Sequence, residues 1–261
     1  MNLNLKGKTA LVCGASRGLG YGAAIELAKL GAEVILLARS QKRLQENVKR
    51  LNRINKKKNS YIVADLRNAI AVRDSIKEYL AKKPIHILIN NAGGPPVGNI
   101  VKANATALSD AFNLHVLASH TITQAVLPSM KKAKYGRVIN IVSTSVRQPI
   151  SNLGVSNTIR GAMASWAKTL SGELAKSGVT VNNILPGTTK TERIDELLAG
   201  EVTKQKISKR EAKAQMIAQI PMGRFAEVEE IASVIAFLAS PAASYITGTS
   251  IPVDGGKIKS I

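Results

Sequence analysis

"TALVCGASRGLGYGAAIELAKLG", residues 9–31, is the stretch on which the fold turns. An unbroken apolar run ends at Gly14, and three glycines, Gly14, Gly18 and Gly20, follow it directly. Apolar residues then recur at helical spacing until Gly31, a residue suited to stopping a helix. The order is strand, tight turn, helix. Glycine lets a backbone approach a ligand closely, and the first turn of a helix presents free N–H groups to an anion such as a pyrophosphate. On that reading Gly14, Ser16, Arg17, Gly18, Leu19 and Gly20 form a cradle. The spacing G-x-x-x-G-x-G departs from the commoner G-x-G-x-x-G. A glycine-rich turn that only packs strand on helix would carry the same residues.

Outward from this unit the pattern repeats. "AEVILLAR", "SYIVADL", "IHILINNAG", "GRVINIVS", "VTVNNILPG" and "TSIPVDGG" read as further strands, separated by segments of helical periodicity. A long helix is predicted from about Ser109 to Leu127, stopping at Pro128. Strands that are apolar on both faces and alternate with helices imply a parallel sheet covered on both sides. Right-handed crossovers make it an α/β, three-layer, doubly wound sheet. No linker or internal repeat interrupts residues 1–261, so one domain is expected. A lysine-rich stretch at about 188–220 hangs from the carboxyl end of the sixth strand, where such sheets bind ligands. It reads either as a substrate lid or as a surface excursion.

Composition bounds the function. No apolar run approaches the ~18 residues of a membrane span, and Thr9 to Ala15 is too short for a signal segment. A single cysteine, Cys13, rules out an internal disulfide and fits a reducing, cytoplasmic setting. One cysteine and three scattered histidines offer no metal-ligand spacing, so no metal is expected. The net charge of +20 raises nucleic-acid binding, but the basic residues are spread along the chain and aromatics make up only 3%. Solvated helix faces account for most of the charge. What remains is an expectation of an anionic cofactor or substrate, with neither nucleic acid nor membrane as partner.

The second strand ends at Arg39, where a site for NAD carries a carboxylate for the ribose 2′-hydroxyl. With Arg17 in the glycine loop, Arg39 favours a 2′-phosphate, hence NADP(H), with NAD(H) still possible. Two generic surface arginines would look alike in sequence. Asp65 and Leu66, at the end of the third strand, are placed to flank an adenine; Asn91, Ala92 and Gly93 follow the fourth and could line the cofactor.

The motifs "GASRGLG", "ADL" at 64–66, "NNAG" at 90–93, "GRVINIVS" at 136–143, "VNNILPG" at 181–187 and "YITGTSIPVDGG" at 245–256 together resemble the short-chain dehydrogenase/reductase family. The resemblance covers essentially the whole chain, in order, and is nearest to the 3-oxoacyl-(acyl-carrier-protein) reductases. It implies a single Rossmann domain, a nicotinamide cofactor, a small-molecule or acyl-thioester substrate, and a homotetramer or homodimer. It also implies that Pro186, Gly187 and Thr188 meet the nicotinamide end of the cofactor.

The family's catalytic Asn, Ser, Tyr and Lys fall on His115, Ser143, Ser156 and Arg160. Only the serine is retained. The i, i+4 spacing keeps Ser156 and Arg160 on one helix face. Acidity does not survive the exchange: a phenol near pKa ~10 gives way to a hydroxyl that is a far weaker acid. Arg160 retains positive charge and could hold the nicotinamide ribose, but it relays no proton at neutral pH. Losing a positioned general acid costs roughly 10²–10⁴ in rate. His115 titrates in a suitable range, though a helix histidine is more often simply packed or solvent-facing. The sequence therefore points to a hydride-transferring oxidoreductase with an altered centre. The alternative is a non-catalytic dinucleotide-binding sensor or scaffold.

Overall fold

The computed structural model describes residues 1–81 and 83–260. Among them are β1 (Thr9–Cys13), β2 (Glu33–Ala38), β3 (Ser60–Val63), β4 (Ile87–Asn90), β5 (Gly136–Ile141), β6 (Val179–Pro186) and β7 (Ser250–Val253). All pair in parallel, in the order β3-β2-β1-β4-β5-β6-β7. The chain turns back across the sheet between β1 and β4. That break in strand order opens a crevice at the carboxyl ends of both strands.

The helices are α1 (Gly18–Lys29), α2 (Gln41–Asn55), α3 (Ala69–Leu80), α4 (Ala105–Phe112), α5 (Ala118–Lys132), α6 (Gly154–Leu174), α7 (Glu192–Gln205), α8 (Lys209–Ala218) and α9 (Val228–Ala239). Alternate strand residues feed two cores. Ala10, Val12, Val34, Leu36, Ile87, Ile89, Ile139 and Ile184 pack against α1, α2 and α9. Leu11, Ile35, Leu37, Leu88, Val138 and Val181 face α3, α5 and α6. A side chain of this kind, fully buried, contributes about 1.5–3 kcal/mol. Both faces being covered is why the strands read as continuous apolar runs. The arrangement is the doubly wound Rossmann sheet that the alternation predicts.

The predicted helix at 109–127 needs correction at both ends. It begins at Ala105, capped by Asn104, whose side chain accepts from Ala107 N at 2.8 Å. It also runs past Pro128 to Lys132. An interior proline costs about 3 kcal/mol, and tertiary contacts offset it here. Met130 is fully buried, and Ser129 Oγ donates to the carbonyl of Ile85 at 2.7 Å. Between α4 and α5 the chain takes one wide π turn, Asn113–Leu117, which carries His115 inward.

The stretch after β6 is helical, as its periodicity suggests. Helices α7 and α8 gather a small apolar cluster of their own from Ile194, Leu198, Ala212, Ile220 and Phe225.

Candidate active site

The glycine loop is held from two sides at the crevice. Asn47, buried on α2, donates to the carbonyls of Ala15 and Ser16, each at 3.2 Å. Asn91, just past β4, donates to the carbonyl of Gly14 at 3.2 Å. The packing leaves no room for side chains at two of the glycines. A Cβ on Gly14 would lie 2.6 Å from Asn91 Nδ2, and one on Gly20 would lie 2.5 Å from the Gly14 carbonyl oxygen. Arg17 occupies the N-cap of α1 and gives it no side-chain acceptor, and no acid stands in the first turn. The leading N–H groups of α1 thus lack a side-chain counter-charge and fit an anionic group.

Three exposed arginines surround this end of the crevice: Arg17 in the loop, Arg39 after β2, and Arg43 in the first turn of α2. Arg17 pairs with Glu192, the first residue of α7, and Arg43 Nη1 lies 3.6 Å from Glu192 Oε1. Asp65 is engaged by Arg67, whose Nε lies 3.0 Å from Oδ2, and that cation holds the Asp65 carboxyl below its ordinary range.

Deeper in, Leu66, Asn90, Asn91, Ala92, His115 and Arg160 line one cavity of about 10 Å³. Arg160 is buried and donates through Nη1 to the Ile141 carbonyl at 3.1 Å. Burial, reinforced by the Arg193 charge, pushes its pKa down to about 10, so it stays cationic at neutral pH. The His115 imidazole, also buried and facing the Arg160 charge, is pushed down to about 3. At working pH it is neutral. Among the described residues, Asn90 Oδ1, His115 Nε2 and Arg160 Nε have no hydrogen-bond partner.

Ser143 and Ser156 are partly exposed, whereas His115 and Arg160 are buried. Ser143 Oγ accepts from Ser145 N at 3.1 Å. Strands β4, β5, β6 and β7 are cross-linked by side chains. Asn90 donates to Asn140 and Asn140 to Asn183, each at 2.9 Å, and Asn183 donates to Ser250 Oγ at 3.0 Å. Gly187 lets β6 pass close to the β7 turn, because a Cβ there would lie 2.6 Å from Asp254 Cα. Pro186, which ends β6, and Gly187 and Thr188 after it are partly exposed. Gly93 is exposed and has open space beside it.

Comparison with known proteins fits this architecture. Residues 14–257 match a family described as enoyl-(acyl carrier protein) reductase. The 3-oxoacyl-(acyl-carrier-protein) reductase FabG of Pseudomonas aeruginosa is 34% identical over 259 residues, covering 97% of this chain and 98% of that one. The chain belongs to the short-chain dehydrogenase/reductase family. L-Sorbose reductase of Gluconobacter frateurii, solved with NADPH and L-sorbose, is similar to this family member at a TM-score of 0.94 and 27% identity, with complete coverage of both chains. A short-chain oxidoreductase from Pseudomonas aeruginosa PAO1, described as containing an atypical catalytic centre, aligns at a TM-score of 0.88 and 27% identity, covering 99% of this chain and 100% of that one.

In this short-chain dehydrogenase/reductase, no tyrosine among the described residues lines the cavity that holds Arg160. Tyr61 OH accepts from Gln45, Tyr79 OH reaches Glu33, and Tyr135 OH donates to the Ala239 carbonyl at 2.6 Å. Tyr21, on α1, is partly buried against the core, and Tyr245 is fully exposed. The other histidines are structural: Nδ1 of His86 accepts from Thr9 N, and Nδ1 of His120 accepts from Trp166. Asn157 is also occupied, bonding both the N–H and the carbonyl of Ile150. Burial holds the Cys13 thiol protonated, pushed up to about 12. Sequence reading missed Asn47, Arg43 and Glu192. Asn47 and Arg43 carry only the generic signal of polar residues on a helix, and a lone acid opening α7 points to no partner.

Proposed function

We propose that this protein is an NADP(H)-dependent reductase that moves a hydride between the nicotinamide and a carbonyl or alcohol, at a centre without the family's tyrosine and lysine. The observation that carries the reading is the uncapped first turn of α1 beside Arg17, Arg39 and Arg43. When bound, the nicotinamide supplies or accepts the hydride. Gly14, Ser16, Gly18, Leu19 and Gly20 hold the pyrophosphate, and Arg17 and Arg39 hold the 2′-phosphate. Asp65 and Leu66 flank the adenine. Asn91, Ala92 and Gly93 line the cofactor's middle, and Pro186, Gly187 and Thr188 its nicotinamide end.

Ser143 donates to the substrate oxygen. Ser156, at the position of the usual proton donor, hands on a proton poorly, because an alkyl hydroxyl is so weak an acid. Arg160 supplies fixed positive charge beside the developing alkoxide, and neutral His115 orients it without exchanging protons. The chain acts as a single cytoplasmic domain within a homotetramer, and residues 188–220 cover the substrate. A 3-oxoacyl thioester is the first substrate to try, by analogy with FabG.

Titration of the purified protein with NADPH and NADH tests the reading. Tight NADPH binding supports it, and binding of neither cofactor overturns it. Oxidation of NADPH with a panel of 3-oxoacyl thioesters, quinones and small ketones then separates an enzyme from a sensor. Binding without oxidation of any panel member would favour the sensor.

A further inference from the structure

Four contacts hold residues 190–193, at the start of α7. Lys190 pairs with Glu227, Arg193 Nη2 donates to the Pro95 carbonyl at 2.9 Å, and Glu192 reaches Arg17 and Arg43. Thr191, the N-cap of α7, lies over the glycine loop; its Cγ2 is 3.7 Å from where a Gly18 Cβ would stand. A carboxylate shared by two guanidiniums presents them with the charge and acceptor geometry that a phosphate would offer. The two anions cannot share the arginines without like-charge repulsion. A ribose 2′-hydroxyl is neutral and meets no such conflict.

We propose that Glu192 is the counter-ion that the 2′-phosphate of NADP(H) displaces from Arg17 and Arg43, so that NADP(H), but not NAD(H), frees the first turn of α7. The proposal rests on the dinucleotide reading of the glycine loop. It makes Arg43 a specificity-determining residue, and it couples the identity of the cofactor to the segment beside the substrate's entrance. By linkage, whatever docks α7 through Glu192 weakens NADP(H) binding to the same extent.

Fluorescence titration and limited trypsin digestion test it on the full chain. In Glu192→Gln the NADPH dissociation constant should fall about threefold to tenfold, while that for NADH stays within about twofold. In Arg43→Ala the NADPH constant should rise and the NADH constant should hold. Trypsin should cut after Lys204, Lys206 and Lys209 faster with saturating NADP⁺ than with NAD⁺, a comparison in which only the 2′-phosphate differs. Glu192→Gln should erase that difference. Equal changes for both cofactors, or equal digestion rates in the wild type, would overturn the proposal. Weaker NADPH binding by Glu192→Gln would also overturn it, because Glu192 would then be positioning Arg17 for the phosphate. A wild type that binds neither cofactor fails the dinucleotide reading itself, and this proposal with it.

Discussion

The guanidinium of Arg160 donates to the carbonyl of Ile141 at 3.1 Å, tying helix α6 to the end of β5 two residues before Ser143. No acid lines the cavity that this cation shares with neutral His115. Burying a charge without a counter-ion is costly, and replacing it with an apolar side chain of similar length is often neutral or stabilising. Arg160→Met is therefore expected to unfold within about 1 kcal/mol of the wild type, or above it, while turnover falls. Urea unfolding alongside NADPH oxidation checks both parts, and a large loss of stability in Arg160→Met would contradict the reading of a charge kept for function.

His115 gives stability a pH dependence. Its imidazole is pushed from an ordinary 6.5 to about 3, so between those values the unfolded chain binds a proton that the folded chain refuses. Its contribution is complete above about 6.5 and is lost as the pH falls toward 3. His115→Asn removes that limb, so the wild type should lose more stability than the variant between pH 7.5 and 4.5, by on the order of a few kcal/mol. Parallel stability curves for the two proteins would refute the burial argument.

Two glycines separate folding from binding. Gly20→Ala brings a Cβ to 2.5 Å from the Gly14 carbonyl and should destabilise the protein and abolish dinucleotide binding together. Gly93→Ala meets nothing within 4 Å and should fold as the wild type does. Its methyl projects into the space proposed for the cofactor, so weaker NADPH binding at unchanged melting temperature is expected. Thermal unfolding with and without NADPH reads both.

Asn47→Ala removes a buried side chain that donates to two carbonyls of the glycine loop. Leaving buried acceptors unsatisfied costs about 1–3 kcal/mol, and a looser loop should also weaken the dinucleotide. Restored binding in Asn47→Gln would be surprising, since the longer side chain cannot keep both contacts.

Restoring the family residues tests the chemistry directly. Ser156→Tyr with Arg160→Lys returns a phenol beside an amine at the i, i+4 spacing of α6. Turnover of any accepted substrate is expected to rise by roughly 10² or more. An unchanged rate in a folded, NADPH-binding double variant would show that proton transfer is not what limits this protein.

Much of the molecule is written in local pattern. The run Thr9–Cys13, the glycines after it and the periodic helix to Lys29 foretell β1, the loop and α1, because each needs only neighbouring residues. Arg17 and Arg39 could be singled out for the same reason, as both stand at marked points of strand–turn–helix units. The helix through Pro128 could not, because the burial of Met130 and the bond from Ser129 to Ile85 are contacts between distant segments.

The sequence by itself determined a parallel sheet wrapped by helices, a glycine loop at its crevice, and the i, i+4 placement of Ser156 and Arg160 on one helix. Only the tertiary structure decided what those side chains experience. Arg160 is drawn under α6 onto a strand carbonyl, His115 is turned inward by a π turn and stripped of its proton, and Glu192 meets Arg17 and Arg43 across the crevice. Periodicity and turn chemistry act over a few residues, whereas burial and charge pairing depend on segments that only the folded sheet brings together.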